Sequence, residues 1–240
     1  MSREADVAAR LAAVRERVAR AAERAHRRPE AIAVVGVSKR KPAELVAAAV
    51  RAGLRDVGEN YAQEAREKLP IVRAMLEESG HNTPRWQFIG QLQRNKARAV
   101  ARDFDVVQTV DRESLGAELC RRAERLARDL DILLQVDLSG EERKGGAPPE
   151  ALPDLLAASR AWPRLRVTGL MAIPAPVDDP EANRPAFARL RELRDALLDC
   201  PGGEHLVELS MGMSQDFEVA IEEGATHVRV GTAIFGARPA

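Results

Sequence analysis

The sequence is poor in several kinds of residue, and each shortage excludes a class of protein. Only two of the 240 residues are cysteines. Cys120 and Cys200 lie far apart and outside any CxxC pair, so they predict two reduced thiols and no disulfide framework. Aromatic residues make up only 3% of the chain. A hydrophobic core must therefore be built mainly from alanine, valine, leucine and isoleucine.

Charge of one sign and long apolar runs are also missing. Lysine plus arginine equals aspartate plus glutamate, at 37 each, which gives no indication of a nucleic acid or an acidic membrane as partner. No apolar run reaches the roughly 18 residues of a membrane span, and the charged start MSREADVAARL lacks a signal-peptide core. The four histidines lack metal-ligand spacing. We expect a cytoplasmic protein with no membrane segment and no metal site.

Short apolar or β-branched runs alternate with helical patterns along the whole chain. The runs predicted as strands are Ile32–Ser38, Asp56–Glu59, Trp86–Gly90, Val106–Val110, Ile132–Leu138, Val167–Ala172, Leu206–Leu209 and Val228–Val230. Several are almost continuously apolar, as parallel strands covered on both faces are. This alternation, repeated eight times, predicts an α/β fold, a (β/α)8 or TIM barrel, in a single domain of residues 1–240.

An extra helix is predicted before the first strand. Its apolar stripe consists of Val7, Leu11, Val14 and Val18. Such a helix fits a barrel with one open end covered or with its outside augmented. The alternative fold is a doubly wound open sheet, which usually carries a GxGxxG turn after its first strand. The sequence has no such turn.

Two turns near the end of the chain predict a phosphate site. Residues 210–214, SMGMS, follow the seventh predicted strand, and Gly231-Thr232 follow the eighth. Glycine lets the backbone approach a ligand, while hydroxyls and free N–H groups at a helix start bind anions. TIM barrels often bind phosphate with the loops after strands seven and eight.

Lys39 follows the first predicted strand directly and shares a face with Val35 and Val37 by strand alternation. At the mouth of a barrel, an amine among apolar side chains has a lowered pKa and attacks aldehydes. Lys39 and the phosphate turns together suggest a Schiff base to a phosphorylated aldehyde. The alternative is that Lys39, Arg40 and Lys41 form a solvated basic loop.

Two further residues are candidates on position alone. Arg229 lies two residues before Gly231, hence on the same strand face and one layer deeper. Its alternative role is an ion-paired arginine on the barrel rim. Asn60 ends the second predicted strand, where it could bind a ligand or cap the helix that follows.

The sequence resembles the pyridoxal phosphate homeostasis protein family over nearly its whole length. Seven motifs carry the resemblance, in the family's order and spacing: VGVSKRKP at 35–42, GENYAQE at 58–64, FIGQLQRNK at 88–96, QVDLSGEERKGG at 135–146, GLMAI at 169–173, LSMGMSQDFEVAI at 209–221 and VRVGTAIFG at 228–236. One departure is Trp86-Gln87, where the family often has histidine after the tryptophan. It bears on the role of that position and not on the cofactor site.

The resemblance implies the barrel fold of the alanine racemase N-terminal domain and pyridoxal 5′-phosphate as cofactor. It implies that Lys39 forms the Schiff base, that Arg229 lies near the pyridine nitrogen and that Asn60 lies beside the cofactor. It places the phosphate among Ser210, Ser214, Gly231 and Thr232.

The same resemblance bears on catalysis. An arginine keeps its proton, so the ring nitrogen stays neutral and the ring is a poorer electron sink. Racemisation needs an acid/base on each face of the ring, which alanine racemase completes with a tyrosine from a separate C-terminal domain of its partner subunit. This chain ends at Ala240 and has one tyrosine, Tyr61. We therefore expect a monomeric cofactor carrier without catalytic residues, and PLP-dependent apo-enzymes as candidate recipients.

Two other functions stay open from the sequence. One is a racemase-like enzyme that uses pyridoxal phosphate to act on amino acids. The other is a barrel in which Lys39 forms an aldolase-type Schiff base with a phosphorylated aldehyde and needs no cofactor.

Overall fold

The alternation of strand and helix seen in the sequence is present in the computed structural model. The structure describes residues 3–138 and 145–237, so residues 139–144 of the motif at 135–146 lie outside the described residues. The strands are β1 Ala33–Val37, β2 Asp56–Glu59, β3 Arg85–Phe88, β4 Val106–Val110, β5 Leu130–Val136, β6 Leu165–Ala172, β7 Glu208–Met213 and β8 His227–Val230. The helices are α1 Arg3–Arg24, α2 Ala43–Arg51, α3 Ala62–Glu78, α4 Ala97–Asp103, α5 Glu113–Arg125, α6 Leu152–Ser159, α7 Arg184–Leu197, α8 Phe217–Glu222 and α9 Thr232–Phe235.

The strands form a closed parallel barrel in sequence order. β1 closes the barrel by pairing with β8, with Val35 opposite Arg229 and Gly36 opposite Val230. The predicted TIM barrel is therefore confirmed, and the open doubly wound sheet is wrong. Closure matters for the site, because it makes β1, β8 and β7 neighbours and brings their carboxyl ends to the same place on the rim.

The extra N-terminal helix augments the outside of the barrel. α1 packs against α2, α8 and α9, and its predicted stripe of Val7, Leu11, Val14 and Val18 is buried. Arg17 on the same helix stacks over the ring of Phe217, 4.4 Å from its centre. The sequence left open whether this helix covers one end of the barrel or packs on its outside. In the structure it packs on the outside.

One predicted strand boundary is wrong in a way that affects the site. β7 does not stop at Leu209 but runs on to Met213. The strand continues because a bulge absorbs the irregular segment: Ser210 pairs with His227 and Met213 with Arg229, across a register shift. Gly212 has φ of +88° inside this bulge, a conformation that glycine adopts without strain.

No helix in the described residues is both long enough and apolar enough to cross a lipid bilayer.

Candidate functional site

The two predicted phosphate turns touch each other. Ser214 follows the end of β7 and Gly231 follows the end of β8, and these strands are neighbours in the barrel. The Gly231 N–H donates a hydrogen bond to Ser214 Oγ at 3.3 Å. The turns therefore form one continuous surface beside β1, the strand that precedes Lys39.

This surface is one wall of a cavity of about 320 Å³ at the carboxyl ends of the strands. Six of the seven residues predicted for the site line it: Lys39, Asn60, Ser214, Arg229, Gly231 and Thr232. The opposite wall is apolar and includes Ile173, Pro176 and Val177 from the segment after β6. Amine, guanidinium and hydroxyl groups thus face one space that apolar side chains partly enclose, although their role in binding stays a prediction.

Ser210 is the predicted residue that does not line this cavity. It lies within β7 instead of a turn, and none of it is exposed. Its hydroxyl accepts a hydrogen bond from Arg229 Nη1 at 2.7 Å and donates one to Gln108 Oε1 at 2.6 Å. The sequence placed Ser210 in a turn because the bulge that extends β7 leaves no clear mark in the pattern.

Asn60 has an unsatisfied polar atom. Its carboxamide oxygen is buried and has no hydrogen-bond partner among the described residues. Asn60 does not cap the following helix, because Tyr61 is the N-cap residue of α3 and no side chain among the residues that the structure describes caps it. A buried acceptor without a partner is costly, and here it is in a residue of the cavity wall, where a ligand hydroxyl could donate to it.

Arg229 lies inside the barrel and not on its rim. Its side chain is only 4% exposed. Nη1 donates to Ser210 Oγ at 2.7 Å, and Nη2 donates to the carbonyl oxygen of Ala172 at 2.8 Å. Burial lowers the pKa of Arg229 to about 10, against which the charge of Asp216 acts. The guanidinium therefore still carries its positive charge at neutral pH.

A brace of hydrogen bonds with Glu64 and Lys68, both on α3, holds the turn that carries Lys39. Arg40 has φ of +58°, which is strained for a residue other than glycine. Its N–H donates to Glu64 Oε1 at 2.5 Å, and Lys68 Nζ donates to the carbonyl oxygen of Ser38 at 2.7 Å.

Lys39 itself is half-buried, whereas Arg40 is exposed. The basic segment is therefore not a uniformly solvated loop.

A buried ion pair supports this brace. Lys68 Nζ lies 2.6 Å from Glu59 Oε1 and 2.6 Å from Glu64 Oε1. Glu59 is fully buried and also accepts a hydrogen bond from Ser38 Oγ at 2.6 Å. Burial raises the pKa of Glu59 above its usual value, although Lys68 and Ser38 oppose the shift. The pair is therefore costly to bury, and it fixes both the end of β2 and the start of the Lys39 turn.

A separate set of hydrogen bonds joins the apolar wall to the phosphate turns. Asn183 Nδ2 donates to Asp216 Oδ2 at 2.8 Å and to the carbonyl oxygen of Ala175 at 3.3 Å. Asp216 Oδ1 accepts from the N–H of Met213 at 2.6 Å. These bonds connect the segment after β6 to the end of β7. Asn183 and Asp216 both line the cavity.

These supporting residues could not be identified from the sequence. Glu64 and Lys68 have the i,i+4 spacing of a helix ion pair, but that spacing is typical of exposed pairs. Nothing in the pattern shows that Lys68 is buried against Glu59, or that Asn183 reaches Asp216 from 33 positions away.

The chain is similar to known proteins over almost its whole length. The family model described as alanine racemase, N-terminal domain, matches residues 9–239. The pyridoxal phosphate homeostasis protein of Pseudomonas aeruginosa is 47% identical over 232 residues, which cover 97% of this chain and 96% of that protein.

Solved structures are similar over the same length. An unknown protein from Bifidobacterium adolescentis has a TM-score of 0.91 at 35% identity and covers 97% of this chain and 96% of its own. PipY of Synechococcus elongatus, solved with PLP bound, has a TM-score of 0.82 at 34% identity and covers 96% of this chain and 100% of its own.

The buried ion pair behind Lys39 generates the first prediction. Lys68→Met should lower the free energy of unfolding by about 3–5 kcal/mol, because it leaves the buried Glu59 carboxylate without its cation. Urea unfolding measures the change. Arg20→Met is the matched control, because Arg20 pairs with Glu16 at the surface and its loss should cost under about 1 kcal/mol. Equal losses in the two variants would contradict the assigned role of Lys68.

Proposed function

The chain belongs to the alanine racemase N-terminal domain family and, within it, to the pyridoxal phosphate homeostasis proteins, and we propose that it binds pyridoxal 5′-phosphate as a Schiff base to Lys39. Its proposed role is to hold and release this cofactor for vitamin B6 homeostasis in the cytoplasm. It would act as a monomer with one domain spanning 1–240, and PLP-dependent apo-enzymes are the candidate recipients. The convergence of Lys39, Arg229, Ser214 and Gly231 on one cavity carries this proposal.

The residues of the cavity fit the chemical groups of pyridoxal phosphate. The contacting turns of Ser214 and Gly231, with Thr232, supply hydroxyls and N–H groups for a phosphate. Arg229 supplies a donor for a ring nitrogen. The buried carboxamide oxygen of Asn60, which has no hydrogen-bond partner in the part of the chain that the structure describes, would accept a hydrogen bond from a ring hydroxyl. A cofactor with an aldehyde, a phosphate, a ring nitrogen and a hydroxyl uses each of these groups.

Bound pyridoxal phosphate supplies an electrophilic aldehyde and a ring that accepts electrons. Lys39 would act as the nucleophile towards the aldehyde carbon. The new C=N bond replaces the C=O bond, and the carbonyl oxygen leaves as water with two hydrogens from the amine. The brace formed by Lys68 and Glu64 holds the backbone of this turn in place.

Arg229 limits the chemistry that such a site supports. With a pKa of about 10, the guanidinium donates a hydrogen bond to the ring nitrogen and keeps its proton. The ring then gains no positive charge, so it withdraws electrons from an amino-acid α-carbon only weakly.

The cavity also offers few groups for proton transfer. Among the described residues, no tyrosine or histidine lines it, and Tyr61 is about half exposed. Asp216 accepts hydrogen bonds from Met213 and Asn183, and Lys41 Nζ donates to the carbonyl oxygens of Gly236 and Ala237. These contacts support a carrier function over racemisation, which needs an acid/base on each face of the ring.

Covalent attachment is tested by absorbance. Wild-type protein incubated with pyridoxal phosphate should show a Schiff-base band, and borohydride should fix the cofactor to Lys39, as located by peptide mapping. Lys39→Ala should lose the band, whereas Lys96→Ala, at an exposed lysine, should keep it. A colourless wild-type protein, or reduction at another lysine, would overturn the proposal. A reducible adduct that forms with a different phosphorylated aldehyde, but not with pyridoxal phosphate, would favour the aldolase-type alternative.

The phosphate turns are tested at two glycines. Gly231 has φ of −106°, and a Cβ there would meet its nearest atom, the Val37 carbonyl oxygen, at 3.4 Å. Gly231→Ala should therefore change the free energy of unfolding by less than about 1 kcal/mol but weaken retention of pyridoxal phosphate in dialysis.

The matched control is Gly212→Ala. Gly212 has φ of +88°, and its Cβ would lie 2.5 Å from that of Ala220, so this variant should unfold more easily. Unchanged retention in Gly231→Ala would place the phosphate elsewhere.

The carrier function is tested by proton exchange. Alanine incubated in deuterated water with the loaded protein should exchange its α-proton far more slowly than the roughly 10 s⁻¹ of ordinary enzymes. Lys39→Ala incubated with the same concentration of pyridoxal phosphate gives the background rate, and mass spectrometry of alanine measures the exchange. A rate close to that of ordinary enzymes would favour the racemase alternative.

A further inference from the structure

A row of polar side chains crosses the barrel interior beneath Arg229. Gln87, Gln108 and Ser210 are completely buried, and Asp56 at the start of β2 is half-buried. The interior of a TIM barrel is usually packed with branched apolar residues, and here Val106, Leu133 and Met171 form such a cluster. Polar residues in the same interior need another explanation.

Hydrogen bonds join these side chains into one chain. Arg229 Nη1 donates to Ser210 Oγ at 2.7 Å, and Ser210 Oγ donates to Gln108 Oε1 at 2.6 Å. Gln108 Nε2 donates to Gln87 Oε1, and Gln87 Nε2 donates to Asp56 Oδ1 at 2.7 Å. The chain runs from the guanidinium in the cavity wall to a carboxylate near the opposite end of the barrel.

The two ends of the chain fix its direction. An arginine can only donate, and an ionised aspartate can only accept. Because Asp56 accepts, Gln87 must turn its NH₂ group to Asp56 and its oxygen to Gln108. Gln108 must then turn its oxygen to the Ser210 hydroxyl, whose oxygen is left to accept from Arg229. The two ends thus leave each amide only one orientation, every bond points from Arg229 towards Asp56, and aligned bonds strengthen one another.

We propose that Asp56, Gln87, Gln108 and Ser210 are positioning residues that fix the orientation of the Arg229 guanidinium at the cavity. This inference rests on the proposed function for its ligand, since Arg229 is the group that would meet the ring nitrogen. Ser210 thereby acts on the ring end of the cofactor through Arg229 and not on the phosphate.

Three substitutions test the chain. Gln87→Met keeps the shape but breaks the middle of the chain, and Ser210→Ala removes a single hydroxyl at its arginine end. Gln87→His should restore the chain, because a neutral imidazole donates from one nitrogen and accepts at the other. Thr168→Val is the control: it removes a partly buried hydrogen bond to Glu208 in the same barrel and leaves Arg229 untouched.

The first measurement uses the protein without cofactor. The side-chain NMR signal of Arg229 in ¹⁵N-arginine-labelled protein is assigned by its loss in Arg229→Lys. Its N–H exchange with solvent should become at least about tenfold faster in Gln87→Met and Ser210→Ala. Exchange should stay at the wild-type rate in Gln87→His and Thr168→Val. Equal rates in all variants, or equal acceleration in Thr168→Val, would overturn the proposal.

The second measurement uses bound pyridoxal phosphate. Gln87→Met and Ser210→Ala should shift its absorbance maximum, because the donor at the ring nitrogen moves. The affinity ratio of pyridoxal phosphate to pyridoxal, which reports on the phosphate contacts, should stay at the wild-type value. A reduced ratio in Ser210→Ala would instead make Ser210 a phosphate ligand and overturn its role here.

The two measurements separate two failures. If the wild-type protein binds no pyridoxal phosphate, the proposed function fails, while the exchange of Arg229 still decides whether the chain positions it. If the cofactor binds and neither exchange nor absorbance responds to Gln87→Met, the positioning chain is wrong and the proposed function stands.

Discussion

The pairing of β1 with β8 is the constraint on which the candidate site depends. If the barrel were opened between these two strands, they would lie at opposite edges of the sheet, and residue 39 would be far from residues 229–232. Barrel closure sets Val35 opposite Arg229, so the segment after β1 runs beside the turns after β8 and β7. The parallel direction of all strands places these ends on the same rim. The site therefore follows from topology as much as from the identity of its side chains.

Lys68 and Arg229 are buried cations beside this rim, and neither is explained by stability. Lys68 lies behind the wall with Glu59, and burial raises the pKa of that carboxyl. Arg229 lies within the wall, and burial lowers its pKa to about 10. A buried charge is often no more stabilising than an apolar side chain of the same size. Both cations instead contact segments of the candidate site, since one bonds the carbonyl before Lys39 and the other lines the cavity.

The sequence predicted correctly the location of residues that follow a strand directly or lie a fixed number of positions from its end. Lys39 and Gly231 follow strands directly, and strand alternation placed Arg229 on the face of Gly231. Ser210 could not be placed in this way, because the bulge around Gly212 depends on pairing with β8. The polar chain was also out of reach: Ser210 and Gln108 are 102 positions apart, and no periodicity shows which buried glutamines meet. Local pattern predicts elements and their ends, whereas contacts inside the barrel require the closed sheet.

Arg229 has hydrogen-bond acceptors within the protein and does not need a ligand to supply them. Ser210 and the Ala172 carbonyl accept its hydrogen bonds, so much of the cost of removing the charge from water is offset by the protein itself. A guanidinium without such partners would move toward solvent when the cavity empties and would have to be ordered again on each binding. Preorganised partners reduce that reorganisation. For the proposed carrier, which must bind and release its cofactor repeatedly, a site that keeps its shape when empty does not have to be ordered again at each binding event. On the proposed function, the polar chain would keep this buried cation in one place both with and without the cofactor.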